Sequence, residues 1–177
     1  MLNHSLEDLS PSQWVVRHSK YIKNKGNVLD LACGTGRHTR YLLSLGHHVT
    51  AIDIDISKMK NINTYNSLDK IQYNLEKSSW PLQDRIFDGV IVTNYLHRPI
   101  IPFILESLAT NGTLIYETFA VGNESYGKPK NPDYLLKRGE LLDICHKKLS
   151  IVAYEDIVVK KPKQAVLQRI CAIRKST

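Results

Sequence analysis

The chain has 177 residues, of which 42% are hydrophobic, and a net charge of +7 from 24 basic and 17 acidic side chains. That length fits one domain, residues 1–177, which buries roughly 70% of its unfolded surface and needs no disulfide or metal staple. No apolar run approaches the ~18 residues of a membrane span, and the polar N-terminus lacks a basic-then-apolar leader, so a soluble cytoplasmic protein is expected.

The elements follow in chain order. A helical cap is expected within residues 1–24, where Trp14, Val15 and His18 fall on one helical face. Asn27 to Cys33 reads as a buried strand, and Gly36 to Leu45 as a helix with Tyr41, Leu42 and Leu45 on one side. Gly46 takes the usual C-terminal position. His48 to Ile54 is a second strand, after which Ser57 is expected to cap a short helix reaching about Tyr65. Lys70 to Leu75 is a third, more polar strand suited to a sheet edge. Residues 76–86 are too short and too rich in Pro and Ser for a full helix. Phe87 to Asn94 is continuously apolar and should be central.

Pro99 suits the first turn of the next helix, expected to end near Asn111-Gly112. Thr113 to Phe119 is a fifth strand. Residues 120–133 read as a loop, and a helix is expected from about Asp133 to Lys148. Ser150 to Val159 and Ala165 to Arg174 form two strands whose tight connection requires an antiparallel pair. Strands alternating with helices predict a doubly wound, mostly parallel sheet closed by a C-terminal antiparallel hairpin.

Cys33, Cys145 and Cys171 are odd in number, widely spaced and form no CxxC pair, which speaks against a zinc site or a disulfide framework. His4, His38, His47, His48 and His146 have no grouping with carboxylates, and neighbouring His47 and His48 point to opposite faces of a strand. No metal is expected. Charge is uneven: beyond Asp156 there is no acidic residue, while Lys160, Lys161, Lys163, Arg169, Arg174 and Lys175 supply six cations. Such a patch suits an anion, RNA or an acidic partner.

Between the first strand and its helix lies Asp30-Leu31-Ala32-Cys33-Gly34-Thr35-Gly36. Glycines at such a turn let the backbone approach a ligand closely. The dinucleotide pattern G-x-G-x-x-G is incomplete, because Thr39 stands at the third glycine. Asp30 would also repel a phosphate and attract a cation. Asp53 ends the second strand, where an acidic side chain accepts from both hydroxyls of a ribose. Asp55, two residues on, faces the same side, but Asp53 is nearer the strand end.

These residues resemble motifs of the class I S-adenosylmethionine-dependent methyltransferases. Val28 to Gly36 is similar to the first motif, and Ala51-Ile52-Asp53-Ile54-Asp55 to the second. Asn74-Leu75-Glu76 with Trp80-Pro81-Leu82 resembles the third, which borders the adenine. Phe87 to Asn94 resembles the fourth, under the methyl group, and Gly112 to Ile115 matches the usual fifth strand. The likeness spans about residues 25–175, and within the superfamily it leans toward small bacterial proteins of the tellurite-resistance type. It implies a Rossmann-like seven-stranded sheet and S-adenosylmethionine as cofactor, whose ammonium and sulfonium have the sign that Asp30 favours. It also implies cofactor contacts from Asp30, Cys33, Gly34, Gly36, Asp53, Ile54, Asn74, Leu75, Glu76, Thr93 and Asn94. Asn74 departs from the family's usual Asp, which keeps an acceptor oxygen and loses the charge.

Methyl transfer from a sulfonium asks a protein mainly to position the partners and exclude water. The candidates lie after the fourth and fifth strands, at the carboxyl edge where open α/β sheets bind ligands. Tyr95 would wall the methyl group, His97 would serve as base, and Arg98 would clamp an anion. Glu117 breaks an apolar strand and should either pair with a cation or serve catalysis. The loop 120–133 is the expected substrate loop, with Tyr126 as a contact.

The leading expectation is a methyltransferase for a small-molecule acceptor, working as a monomer or homodimer. Two alternatives stay open: an RNA methyltransferase using the basic C-terminal hairpin, and a non-catalytic S-adenosylmethionine-binding accessory protein. An NAD-dependent oxidoreductase is disfavoured by Asp30 and Thr39.

Overall fold

The computed structural model describes residues 10–59, 62, 66–77, 79–161 and 163–176. Its centre is a seven-stranded sheet in the order β3-β2-β1-β4-β5-β7-β6. The strands are β1 Asn27–Leu31, β2 His48–Asp53, β3 Leu68–Gln72, β4 Phe87–Thr93, β5 Leu108–Phe119, β6 Leu149–Val159 and β7 Ala165–Arg174. All pair in parallel except β7, which runs against both β5 and β6. The doubly wound sheet with its closing hairpin is therefore as the sequence predicts.

Strand alternation sets the two faces, because successive side chains point to opposite sides. Leu29, Leu31, Val90, Val92 and Leu114 pack on one side with α3 (Ile101–Glu106) and α4 (Glu140–Cys145). Val28, Val49, Ala51, Ile91 and Ile115 pack on the other with α1 (Gln13–His18) and α2 (Arg37–Ser44). Central strands buried on both faces explain the near-continuous apolar runs. The more polar β3 lies at an edge, as expected. Among the described residues, no helix is long and apolar enough to cross a membrane.

Several boundaries differ from the sequence reading. The third strand starts at Leu68 and stops at Gln72, in step with β2, because its ladder runs from Val49–Leu68 to Asp53–Gln72. Asn74 and Leu75 thus lie beyond the strand. Asp55, not Ser57, caps the turn after β2: its carboxylate accepts from the Ser57 N–H at 3.1 Å. That turn is a single 3-10 turn, Ile56–Lys58, and residues 60, 61 and 63–65 lie outside the described set.

The helix after Pro99 ends at Glu106, well before Asn111-Gly112. Those two residues belong to β5, where a register shift leaves residues 109–112 looped out between the pairs Phe87–Leu108 and Gly89–Thr113. Asn111 sits at φ 63°, and a Cβ on Gly112 would stand 2.9 Å from the Phe87 carbonyl. A glycine is required by that backbone contact and not by a helix end. The helix expected over 133–148 is only Glu140–Cys145. Leu135 and Leu136 are buried as extended chain, with Leu136 bridged to Ala120.

The expected N-terminal cap falls partly on residues 1–9, outside the described set; within the rest, α1 and a 3-10 turn at Ser19–Tyr21 are formed. The Trp14 indole N–H reaches the Ile170 carbonyl at 3.2 Å, fixing α1 against β7.

Candidate functional site

The ends of β1, β2, β4 and β5 converge at the carboxyl edge of the sheet. After β1 the backbone turns sharply, with Ala32 and Gly34 at φ 54° and Gly36 at φ 77°. Only glycine enters that region freely. Gly34 faces open space, whereas a Cβ on Gly36 would lie 2.7 Å from Ile62 Cδ1. The first glycine thus keeps a surface clear and the second permits packing.

Asp53 ties this loop to β2. Its Oδ2 accepts from the Gly34 N–H at 2.8 Å and its Oδ1 from the Asp55 N–H at 3.0 Å. Each oxygen keeps a further lone pair. Asp55 is spent on capping, bonded to Ser57 and 3.6 Å from Lys58. The neighbouring Ile54 is 60% exposed, an apolar side chain standing at the strand end.

Asp30 is buried, and its Oδ2 accepts from the Thr39 hydroxyl at 2.5 Å. That bond gives Thr39 a reason to replace a third glycine: it joins β1 to α2 under the loop. Burial pushes the Asp30 carboxyl up from 3.8 to about 6, against the hydrogen bonds from Thr39. Cys33 packs with its Sγ 3.4 Å from Met59 Sδ, and burial raises its thiol pKa strongly. It is a packed thiol under the loop.

Past β3, the Asn74 side-chain oxygen accepts from the Glu76 N–H at 3.0 Å. Leu75 is buried behind the turn and Glu76 is exposed. Past β4, Asn94 is exposed at φ 54°, its N–H held by the Glu117 carbonyl at 2.9 Å. Thr93 is buried beside His38, with 3.3 Å between Thr93 Oγ1 and His38 Nδ1. The other nitrogen, Nε2, accepts from the Ser12 N–H at 3.1 Å, so the proton sits on Nδ1. Burial lowers the His38 pKa to about 3, and the ring is neutral.

The three expected catalytic side chains are separated. The Tyr95 hydroxyl is buried without a partner among the described residues. His97 lines a cavity of 420 Å³ together with Glu76, Trp80 and Phe103. Glu117 lines a larger cavity of 560 Å³, next to Asn94 and Tyr126. Glu117 also answers the question its burial raised: Oε2 pairs with Arg169 at 3.1 Å, and Oε1 accepts from the Ser12 hydroxyl at 2.6 Å. Arg169 in turn holds Glu155 at 2.6 Å and stacks 4.9 Å from the Trp14 ring.

Arg98 is not the anion clamp expected. Its guanidinium forks onto both Glu140 oxygens at 2.7 and 2.9 Å and donates to the carbonyls of Asp133 and Leu135. Four of its five N–H donors go to pinning residues 133–140.

Ser12, His38, Arg37 and Arg169 went unnoticed as site residues. Only His38 carried a local signal, standing two residues after Gly36 on the first turn of the helix. Lys128, Lys161 and Lys163 also line the larger cavity and come from two separate surface turns.

Residues 28–110 match a family described as a methyltransferase domain. No curated protein sequence matches the chain. Among solved structures, TehB from Haemophilus influenzae is similar at a TM-score of 0.72 and 20% identity, covering 99% of this chain and 64% of that one. The chain therefore spans under two thirds of that protein. An S-adenosylmethionine-dependent methyltransferase from Mesorhizobium loti is similar at TM-score 0.71 and 12% identity, over 94% of this chain and 100% of that one. The 1,6-didemethyltoxoflavin N1-methyltransferase of Burkholderia thailandensis, solved with 1,6-didemethyltoxoflavin and S-adenosylhomocysteine bound, is similar at TM-score 0.63 and 16% identity, over 92% and 77%. Residues 28–110 are thus similar to a methyltransferase domain, and the described chain shares the fold of these S-adenosylmethionine-dependent methyltransferases.

Proposed function

We propose that the chain binds S-adenosylmethionine along the ends of β1, β2 and β4 and transfers its methyl group to a small molecule held in the larger cavity. The observation that carries this reading is the Asp53 carboxylate, fixed by the Gly34 and Asp55 N–H groups with lone pairs left over. The residues present fit the cofactor. Asp53 suits vicinal ribose hydroxyls, Ile54 offers an exposed apolar surface to an adenine, and Asn74 with Leu75 borders it. Gly34 leaves clear the space a side chain would fill, and the Tyr95 hydroxyl lacks a partner among the described residues. Asn94, directly after β4, lines the larger cavity.

When bound, S-adenosylmethionine supplies an activated methyl group on a sulfonium. The chain's own residues then bind, orient and exclude water. Asn94 borders both regions. Asp30 places a buried carboxyl beneath the loop, opposite in sign to a cationic ligand. Among the described residues, Glu117 is the one carboxylate lining the larger cavity, so a proton leaving the acceptor has a single nearby taker. Tyr126 lines the same cavity. Three buried free thiols, Cys33, Cys145 and Cys171, suit a reducing cytoplasmic location.

Calorimetric titration of the wild type and Asp53→Ala with S-adenosylmethionine, S-adenosylhomocysteine and NAD tests the reading. Both adenosyl ligands should bind, and the variant should lose at least about tenfold in affinity, equivalent to about 1.4 kcal/mol. Binding of NAD alone, or no binding, would refute it.

A further inference from the structure

The larger cavity has an unequal charge lining. Arg37, Lys128, Lys161, Lys163 and Arg169 contribute to its wall, against Glu117 as the one carboxylate among the described residues. Arg169 is neutralised within the fold by Glu117 and Glu155. The other four form no ion pair with a described carboxylate; Arg37 makes only a 3.5 Å contact with the Ser10 carbonyl. The three lysines are exposed and come from two turns that meet, since a Cβ on Gly127 would stand 3.4 Å from Lys163 Nζ. Glu117 and Asn94 mark the inner wall at the strand ends.

Like charges repel, and three lysines gathered at one mouth raise the local potential toward anions. Resting on the reading of this cavity as the acceptor site, we propose that the methyl acceptor is an acidic small molecule. Its carboxylate or phosphate group faces Lys128, Lys161 and Lys163, and its methyl-accepting end faces Asn94. The acidic group is the handle and takes no part in bond making. The cavity of 560 Å³ has the size of a small-ligand pocket, where a nucleic acid would need an extended basic track.

The full chain, loaded with S-adenosylhomocysteine, is titrated with glycerol 3-phosphate, succinate and neutral glycerol, and with a single-stranded RNA oligonucleotide. The same titrations are run on Lys128→Gln/Lys161→Gln/Lys163→Gln. Wild type should bind one or both acids and not glycerol, the stronger acid telling phosphate from carboxylate. The triple variant should bind that acid at least about tenfold more weakly while holding S-adenosylhomocysteine unchanged. Acids that bind no better than glycerol, or equally well in the variant, would overturn the inference. So would RNA that binds with a steep salt dependence and is not displaced by the acids. Failure of S-adenosylhomocysteine to bind wild type would instead strike the methyltransferase reading itself.

Discussion

Asp30→Asn separates what the buried carboxyl does for stability from what it does for a ligand. Below the ordinary pKa of 3.8 the carboxyl is protonated in both folded and unfolded chains. As pH rises toward about 6, the unfolded state ionises first while burial keeps the folded one neutral. The folded state then binds more protons, so its stability falls across this window and levels off above it. The gap between 3.8 and about 6 corresponds to about 3 kcal/mol. The amide introduced by the substitution would be neutral throughout, and its oxygen can still accept from Thr39. Urea denaturation of both proteins from about pH 4 to about pH 8 should show the variant gaining about 2 kcal/mol relative to wild type over that range. Any constant offset from the new amide cancels in this difference. Affinity for S-adenosylmethionine should move the other way: rising with pH in wild type as Asp30 ionises, and flat in the variant. A stability difference that stays constant with pH would refute the assignment of a desolvated carboxyl at Asp30.

Other perturbations follow from the same contacts. Gly36→Ala meets Ile62 Cδ1 at 2.7 Å with φ at 77°, and should cost about 1–3 kcal/mol in urea unfolding together with cofactor affinity. His38 is held near 3 by burial against 6.5 when unfolded, so its contribution is present above 6.5 and lost as pH falls. His38→Gln should therefore flatten the acid limb of the stability curve, where wild type loses about 3 kcal/mol by about pH 4. Arg98→Ala should cost about 2 kcal/mol by stranding Glu140, with Arg98→Lys failing to restore it and S-adenosylhomocysteine affinity unchanged by calorimetry.

The sheet was legible because its strands are buried on both faces and read as apolar runs whatever their neighbours. The glycine loop was legible for a similar local reason, since Gly34, Gly36 and Asp53 each answer to the backbone around them. Helix ends were not. Residues 104–110 support either period, and the choice was made by Leu108 pairing with Phe87 across the sheet. Leu135 and Leu136 likewise read as a helix start, yet Leu136 is drawn into extended form by Ala120. Arg98 misled because its partner, Glu140, lies 42 residues away. Glu117 posed a choice that only the β5–β7 register could decide, by setting Arg169 directly opposite it.

The strand order also gives the uneven charge of the sequence a spatial meaning. Asp53 and Asp30 lie on β2 and β1, on one side of β4, while the other side holds β7 and the end of β6 beyond Asp156, which carry the acid-free C-terminal stretch. Burial then sorts the cations. Arg169, with a side chain 18% exposed, could not be left unpaired in a poorly solvated place, and two carboxylates neutralise it. Lys128, Lys161 and Lys163 stay in water and need no partner, so their charge remains available at the cavity mouth. The field that survives for a ligand is thus negative at the inner strand ends and positive at the outer rim. A cationic donor and an acidic acceptor would each meet the sign that suits it, with Asn94 between them.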